Sequence, residues 1–68
     1  MNEIYLLKLD VFEHGKFYES IVSDAVFKSE KECLDGLFSN GYKYVNEKLT
    51  LAEGDGTVVI AEIKSIKL

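Results

Sequence analysis

The chain lacks most of the residues that cross-link small proteins or bind phosphate. Its 68 residues include one cysteine, one histidine and no proline, tryptophan, glutamine or arginine. One cysteine cannot close an internal disulfide, and one cysteine with one histidine cannot form a structural zinc site. Without arginine there are no bidentate phosphate clamps. Because a core of this size supplies little net stability, these absences point to self-association or a partner protein as support.

Long hydrophobic runs are missing as well. The longest, residues 4–7 and 58–61, are far shorter than the roughly 20 residues that a membrane-spanning helix needs. The first residues show no basic region followed by an apolar stretch, so no secretion signal is predicted. A lone cysteine also fits a reducing compartment. We therefore expect a cytoplasmic protein without membrane contact.

Negative charge dominates and is concentrated in the first third of the chain. Twelve acidic residues against eight lysines give a net charge of −4, and residues 1–27 alone contribute five acids and two lysines. Nucleic-acid binding requires clustered cations that neutralise phosphates. The composition therefore disfavours direct contact with nucleic acid.

Two strands with a turn between them are predicted for the first part of the chain. Residues 3–12 alternate with apolar odd positions, and residues 17–27 are rich in aromatic and branched side chains. A two-residue turn at His14-Gly15 would oppose Asp10 and Glu19, two like charges. We therefore prefer a three-residue loop ending at Gly15, which places Asp10 opposite Tyr18 and pairs Leu7 with Ile21 and Val11 with Phe17.

One helix and two further strands follow. Ser29 and Glu32 form a capping box before an apolar arc of Cys33, Leu34, Leu37 and Phe38, and Asn40-Gly41 ends the helix. Residues 42–53 and 57–68 flank a turn ending at Gly56, in a register pairing Leu51 with Val59, Leu49 with Ala61 and Lys48 with Glu62. The prediction is one α+β domain, residues 1–68: a four-stranded, mostly antiparallel sheet (ββαββ) with one helix packed on one face, and with the first and last strands central.

One helix can cover only one face of this sheet. If the odd positions of the first, third and fourth strands face the helix, the other face carries many apolar side chains among a few charges: Ile4, Leu6, Phe12, Tyr18, Val22, Val26, Tyr44, Val58, Ile60 and Ile66, with Lys8, Asp10, Asp24, Glu62 and Lys64. An apolar face of this extent predicts a partner interface or a homodimer, although strand twist and the C-terminal tail can also cover part of it.

No catalytic, metal or cofactor site is predicted. Asp10, Glu13, His14 and Glu19 crowd together in sequence, but alternation along the strands divides Asp10 from Glu19 and leaves His14 at a turn. Cys33 lies on the apolar arc of the helix without a neighbouring base. The loop 54–56 lacks the lysine of a phosphate loop and joins two strands. We therefore expect a protein that is not an enzyme.

The acidic and aromatic residues of the first hairpin form the candidate contact set: Asp10, Phe12, Glu13, Phe17, Tyr18, Glu19 and Asp24. Carboxylates repeated along a strand can imitate a nucleic-acid backbone toward a basic groove, or can simply be a solvated acidic face. Carboxylates steer association, and neighbouring aromatic side chains anchor an interface.

The chain resembles the small acidic inhibitors encoded by phages and mobile elements, of which anti-CRISPR proteins are the best-known group. The resemblance rests on its small size, the strand "IYLLKLDVF", the "SEKE" helix start, basic residues that are all lysine, and the acidic first hairpin. The resemblance implies a non-enzymatic protein-binding module that occludes a basic nucleic-acid-binding surface of a host nuclease. The alternative is a small homodimeric accessory protein.

Overall fold

The computed structural model describes residues 2–68, so Met1 of the predicted domain lies outside it. Within this range one helix and five strands follow one another: β1 (Glu3–Glu13), β2 (Lys16–Val22), α1 (Glu30–Ser39), β3 (Lys43–Val45), β4 (Lys48–Ala52) and β5 (Thr57–Lys67). The predicted α+β class is confirmed.

The strands form a single sheet in the order β2-β1-β5-β4-β3, and each neighbouring pair is antiparallel. The first and last strands are central, as predicted. They pair along their whole length, from Glu3 opposite Lys67 to Glu13 opposite Thr57. The apolar residues on both faces of these strands reflect that central position.

The predicted number of four strands is wrong, because residues 42–53 turn back on themselves. Asn46 and Glu47 have φ of 52° and 66°, the sign that a two-residue type I′ turn requires at both central positions. As a result β3 pairs with β4, with Tyr44 opposite Leu49. The sequence carries a signal for this break. The apolar positions change from even (Tyr42, Tyr44) to odd (Leu49, Leu51) across the polar run 46–48, and asparagine tolerates the left-handed conformation of a turn.

The Asn46-Glu47 turn supplies a first prediction, since glutamate is strained in a left-handed conformation. Glu47→Gly is expected to raise the free energy of unfolding by about 0.5–1 kcal/mol, the relief of strain less the greater chain entropy of unfolded glycine. Urea denaturation measures the change. The matched control is Glu19→Gly, also an exposed glutamate of a hairpin but without positive φ, which is expected to lower stability. Equal effects of the two changes would contradict the prediction.

The first hairpin differs from both predicted registers. It has a two-residue turn at His14-Gly15, with φ of 52° and 82°, and Phe12 lies opposite Phe17. A β-bulge then shifts the pairing, so that Val11 lies opposite Glu19 and one residue of β2, Tyr18, is extra.

The bulge removes the charge conflict that argued against the two-residue turn. Beyond it Asp10 lies opposite Ser20, and Leu9 opposite Ile21. The Ser20 hydroxyl donates a hydrogen bond to Asp10 Oδ1. The hairpin therefore keeps the favoured turn and still separates Asp10 from Glu19, a solution that requires one unpaired residue.

The second half of the chain follows the predicted register closely. Leu49 lies opposite Ala61 and Leu51 opposite Val59, as expected. The β4–β5 ladder begins at Leu49, so the predicted pair of Lys48 with Glu62 falls outside it. Glu62 is instead paired with Lys8 of β1.

The helix begins and ends where the sequence indicates. Ser29 Oγ accepts from the Glu32 amide at 3.2 Å, and the Glu32 carboxylate accepts from the Lys28 amide at 3.1 Å, not from the Ser29 amide. At the other end Gly41 has φ of 96°, and the Tyr42 amide donates to the Leu37 carbonyl at 3.1 Å. This is the Schellman arrangement that an Asn-Gly stop favours.

The core lies between α1 and one face of the sheet. Seven of residues 2–68 are buried: Leu7, Cys33, Leu37, Tyr42, Leu49, Val59 and Ala61. The strand members are odd-numbered, as predicted for the helix-covered face. A ten-residue helix is about 15 Å long, whereas eleven-residue strands extend about 36 Å. The helix therefore covers only part of one face, and nothing in residues 2–68 covers the other.

Candidate protein-interaction surface

The uncovered side of the sheet, here called the open face, carries the even-numbered positions of β1, β4 and β5 and the β2 residues paired with them. Its two central strands contribute ten side chains, here called the central strip: Ile4, Leu6, Lys8, Asp10, Phe12, Val58, Ile60, Glu62, Lys64 and Ile66. Most are partly buried by their strand neighbours, and Ile66 is 41% exposed. The open face is thus apolar at both ends and charged in the middle.

The charges of the central strip are paired with one another. Lys8 Nζ lies 3.7 Å from Asp10 Oδ1, and Lys64 Nζ lies 3.2 Å from Glu62 Oε1. Lys8 is also the cross-strand partner of Glu62. Two lysines and two carboxylates make the strip electrically neutral, in a chain whose net charge is −4.

Two aromatic side chains of the first hairpin, Phe17 and Tyr18, are its most exposed apolar groups, followed closely by Val22 at 59%. Phe12 and Phe17 lie opposite each other, with ring centroids 5.7 Å apart in an edge-to-face arrangement. Phe17 and Tyr18 are 60% and 61% exposed. Aromatic rings in this state have a large apolar area to bury and little side-chain entropy to lose on binding.

The four carboxylates of the predicted contact set do not form a row. Asp10 lies on the open face, held by Lys8 and Ser20. Glu13 lies opposite Lys16 beside the turn, and Glu19 is paired with Val11 on the helix side. Asp24 lies in the exposed connection between β2 and α1. The structure therefore brings the aromatic residues together and divides the acids between two faces.

Tyr44 and Phe27 also lie at positions that differ from the predicted ones. Tyr44, expected on the open face, is paired with Leu49 on the helix side, and its ring lies 5.9 Å from that of Phe38. Phe27, expected within the second strand, follows its end at Val22 and exchanges two backbone hydrogen bonds with Tyr5, both of 2.9 Å. Both placements follow from breaks in strands that were predicted from the sequence to be continuous.

His14, which stands among carboxylates in the sequence, packs against the turn between β4 and β5. The His14 amide donates to the Gly56 carbonyl at 3.0 Å. The nearby Asp55 carboxylate accepts from the Thr57 amide at 3.0 Å, and this hydrogen bond, together with the charge of His14, holds the pKa of Asp55 below its usual value. The contacts join two turns through a backbone hydrogen bond and side-chain packing, so they are structural in character.

Cys33 and the remaining acids also lack the arrangement of a chemical site. Cys33 is completely buried, and desolvation, with the charges of Glu30 and Glu32, raises the pKa of its thiol. A raised pKa disfavours the thiolate, which is the nucleophilic form. Among residues 2–68 no group of three or more histidine, cysteine or acidic side chains is placed to hold a metal ion.

No helix within residues 2–68 has the length and apolar character needed to cross a bilayer.

Comparison with known proteins gave no further information on the site. No family model, no curated protein and no solved structure matches this chain.

Proposed function

We propose that this protein is a non-enzymatic binding module of the inhibitor type, which acts in the cytoplasm by docking on a basic surface of a larger protein. The observation that carries the proposal is the pair of exposed aromatic rings, Phe17 and Tyr18, on a hairpin that also bears carboxylates. Aromatic side chains are enriched among the residues that dominate binding energy. Nearby acids increase the rate of association with a basic partner.

The contact set is the one that the sequence indicates, with unequal roles. Phe12, Phe17 and Tyr18 serve as anchors. Glu13, Glu19 and Asp24 are exposed and steer the approach, whereas Asp10 already has Lys8 and Ser20 as partners. Because the acids lie on two faces, they surround the anchors and do not imitate a phosphate backbone. Anchoring by aromatic rings is thus the larger contribution to affinity.

The proposed partner class is a bacterial nucleic-acid enzyme with a basic groove, as for the anti-CRISPR inhibitors that the sequence resembles. Occlusion of such a groove requires no chemistry from the inhibitor. It requires only a surface of opposite charge and apolar anchors. The absence of arginine and the acidic first third of the chain fit a protein that binds the enzyme and not its nucleic acid.

The experiment is a binding and cleavage assay against a panel of purified bacterial defence nucleases, including CRISPR effectors. The expected result is inhibition of at least one enzyme, with association that slows as salt rises. Tyr18→Ala is expected to weaken that binding about tenfold or more, equivalent to about 1.4 kcal/mol. Phe38→Ala is the control, because Phe38 is also an exposed aromatic residue, 46% exposed, and lies on α1, away from the first hairpin.

Two outcomes would overturn the proposal. One is the absence of binding to every enzyme of the panel at concentrations well above those at which such inhibitors act. The other is binding that Tyr18→Ala and Phe38→Ala weaken to the same extent, since the first hairpin would then have no special part in it.

A further inference from the structure

The open face is larger than a chain of this size normally leaves uncovered. The accessible surface is 4988 Å², about 15% more than the roughly 4,300 Å² expected of a folded monomer of 7.7 kDa. The radius of gyration is 12.5 Å, against about 11 Å for a compact domain of this length. Both excesses reflect an elongated shape, 42 × 21 × 20 Å, in which the long central strands extend beyond the short helix and one face of the sheet stays bare.

We propose that a second copy of this chain covers the open face, in a two-fold dimer of face-to-face sheets. The inference does not depend on the proposed function, since it concerns a surface that the chain itself can complete. Aligned packing of two sheets about 10 Å apart is a common arrangement of antiparallel sheets. It would bury the apolar ends of the central strip, which the monomer leaves in contact with water.

The available area meets the requirement of a stable dimer. A two-fold axis between β1 and β5 leaves the edge strand β3 outside the interface, so β2, β1, β5 and β4 form it. At about 3.3 Å per residue along a strand and about 4.8 Å between strands, these four strands offer roughly 540 Å² of flat sheet. Two copies then bury about 1,100 Å², above the roughly 1,000 Å² that a specific interface needs.

The charges at the centre of the strip are self-complementary. Lys8 is the middle residue of β1 and Glu62 the middle residue of β5, and the two are cross-strand partners. A two-fold axis parallel to the strands, between β1 and β5, lays β1 of one copy over β5 of the other. Lys8 of each copy then faces Glu62 of the second. Because both lie next to the axis, the twist between the sheets leaves this match intact.

The same axis matches most of the strip on either side of its centre. Because this axis preserves position along the strands, the apolar end that holds Ile4 and Ile66 meets the same end of the second copy, and the end that holds Phe12 and Val58 meets its own counterpart. Leu6 comes over Lys64, whose aliphatic stem can cover an apolar neighbour while its ammonium stays solvated. An axis perpendicular to the strands would instead set Lys8 against Lys8. The charge pattern thus selects one of the two aligned dimers.

The dimer leaves the acidic side of the first hairpin accessible. An axis parallel to the strands places both β1–β2 turns at the same end of the assembly. Glu19, paired with Val11 on the helix side, lies outside the interface, whereas Phe12 lies within it. A dimer would therefore present two copies of the hairpin side by side. Phe12 and its cross-strand partner Phe17 would pack against the second copy in the dimer, so they anchor a foreign partner only in the monomer, whereas Glu19 stays accessible in both.

Charge reversal at the centre of the strip tests the dimer without removing any core residue. Sedimentation velocity from micromolar to millimolar protein is expected to show the wild-type mass rising from 7.7 kDa to twice that value. Lys8→Glu is expected to weaken dimerisation at least tenfold, and Lys8→Glu with Glu62→Lys to recover most of it. Lys31→Glu is the control, because Lys31 is an exposed helix residue paired with Asp35, away from the open face.

Dilution of the wild-type protein, followed by backbone amide chemical shifts, gives a second readout that needs no variant. Shifts are expected to change in β1 and β5 and to stay constant in α1. Three results would overturn the proposal: a wild-type monomer at millimolar concentration, a dimer unaffected by Lys8→Glu, or dilution shifts concentrated on the helix. Circular dichroism of each variant at monomeric concentration establishes that a loss of mass reflects dissociation and not unfolding.

Discussion

Replacing Leu37 with alanine is expected to lower the free energy of unfolding by about 3 kcal/mol. Leu37 is 4% exposed and belongs to a core of only seven buried residues among those described. Removal of its side chain leaves a cavity between α1 and the sheet, which so small a core cannot refill. A chain of 68 residues has a stability of about 3–10 kcal/mol. The variant would therefore lose a third or more of the total.

Urea denaturation followed by far-ultraviolet circular dichroism measures this loss. The matched control is Phe38→Ala, the next residue of the helix, which is 46% exposed and lies at the edge of the structure beside Tyr44. Its cost is expected to be about 1 kcal/mol or less. If Leu37→Ala cost no more than Phe38→Ala, the helix would not close the core. Self-association would raise the apparent stability of both proteins, so the comparison is made at one low protein concentration.

The second large effect is expected at Gly56, where two hairpin turns touch. Gly56 has φ of +94°, and a Cβ atom there would lie 2.6 Å from Cε1 and Nδ1 of the His14 ring. Gly56→Ala therefore meets both a left-handed backbone and a collision, and is expected to cost about 2 kcal/mol. The same change would strain the hydrogen bond from the His14 amide to the Gly56 carbonyl.

Two further variants separate the causes of that cost. Gly54→Ala is the control, because Gly54 has no positive φ and a Cβ atom added there would have nothing within 4 Å; we expect it to be neutral or slightly stabilising. Adding His14→Ala to Gly56→Ala removes the collision and leaves the backbone strain, so part of the loss should be recovered. If Gly54→Ala cost as much stability as Gly56→Ala, neither the positive φ of Gly56 nor its contact with His14 would explain the loss.

The two turns also explain how His14 can resemble a site residue. In sequence it stands among carboxylates, which is the composition of many reactive sites. In the structure its ring covers a glycine and contributes to the lowered pKa of Asp55. The interactions hold the two hairpin turns together at one end of the central strands β1 and β5. A contact of this kind depends on loops distant in sequence, so only the folded chain reveals it.

Local sequence determined the elements whose signals are short in range. Ser29 caps the start of the helix and Asn40-Gly41 end it, through hydrogen bonds to residues within one or two turns. The apolar residues on both faces of β1 and β5 identify these strands as central. The register of β4 with β5 was predictable as well, because a wrong register would oppose like charges. For the same reason the odd positions could be assigned to the helix-covered face.

Tertiary structure alone decided the β-bulge at Tyr18 and, with it, which residues of the first hairpin share a surface. The turn at Asn46-Glu47 has a local signal in the polar run 46–48, which the prediction of one continuous strand missed. A bulge changes the face of the residues beyond it on its strand, and the sequence alternates in the same way with or without it. The register of the first hairpin depends on turn geometry, charge and packing within the whole sheet, and a local sequence pattern does not contain the packing contribution. The acids of the first hairpin were thereby divided between two faces, and its aromatic rings were gathered at one end.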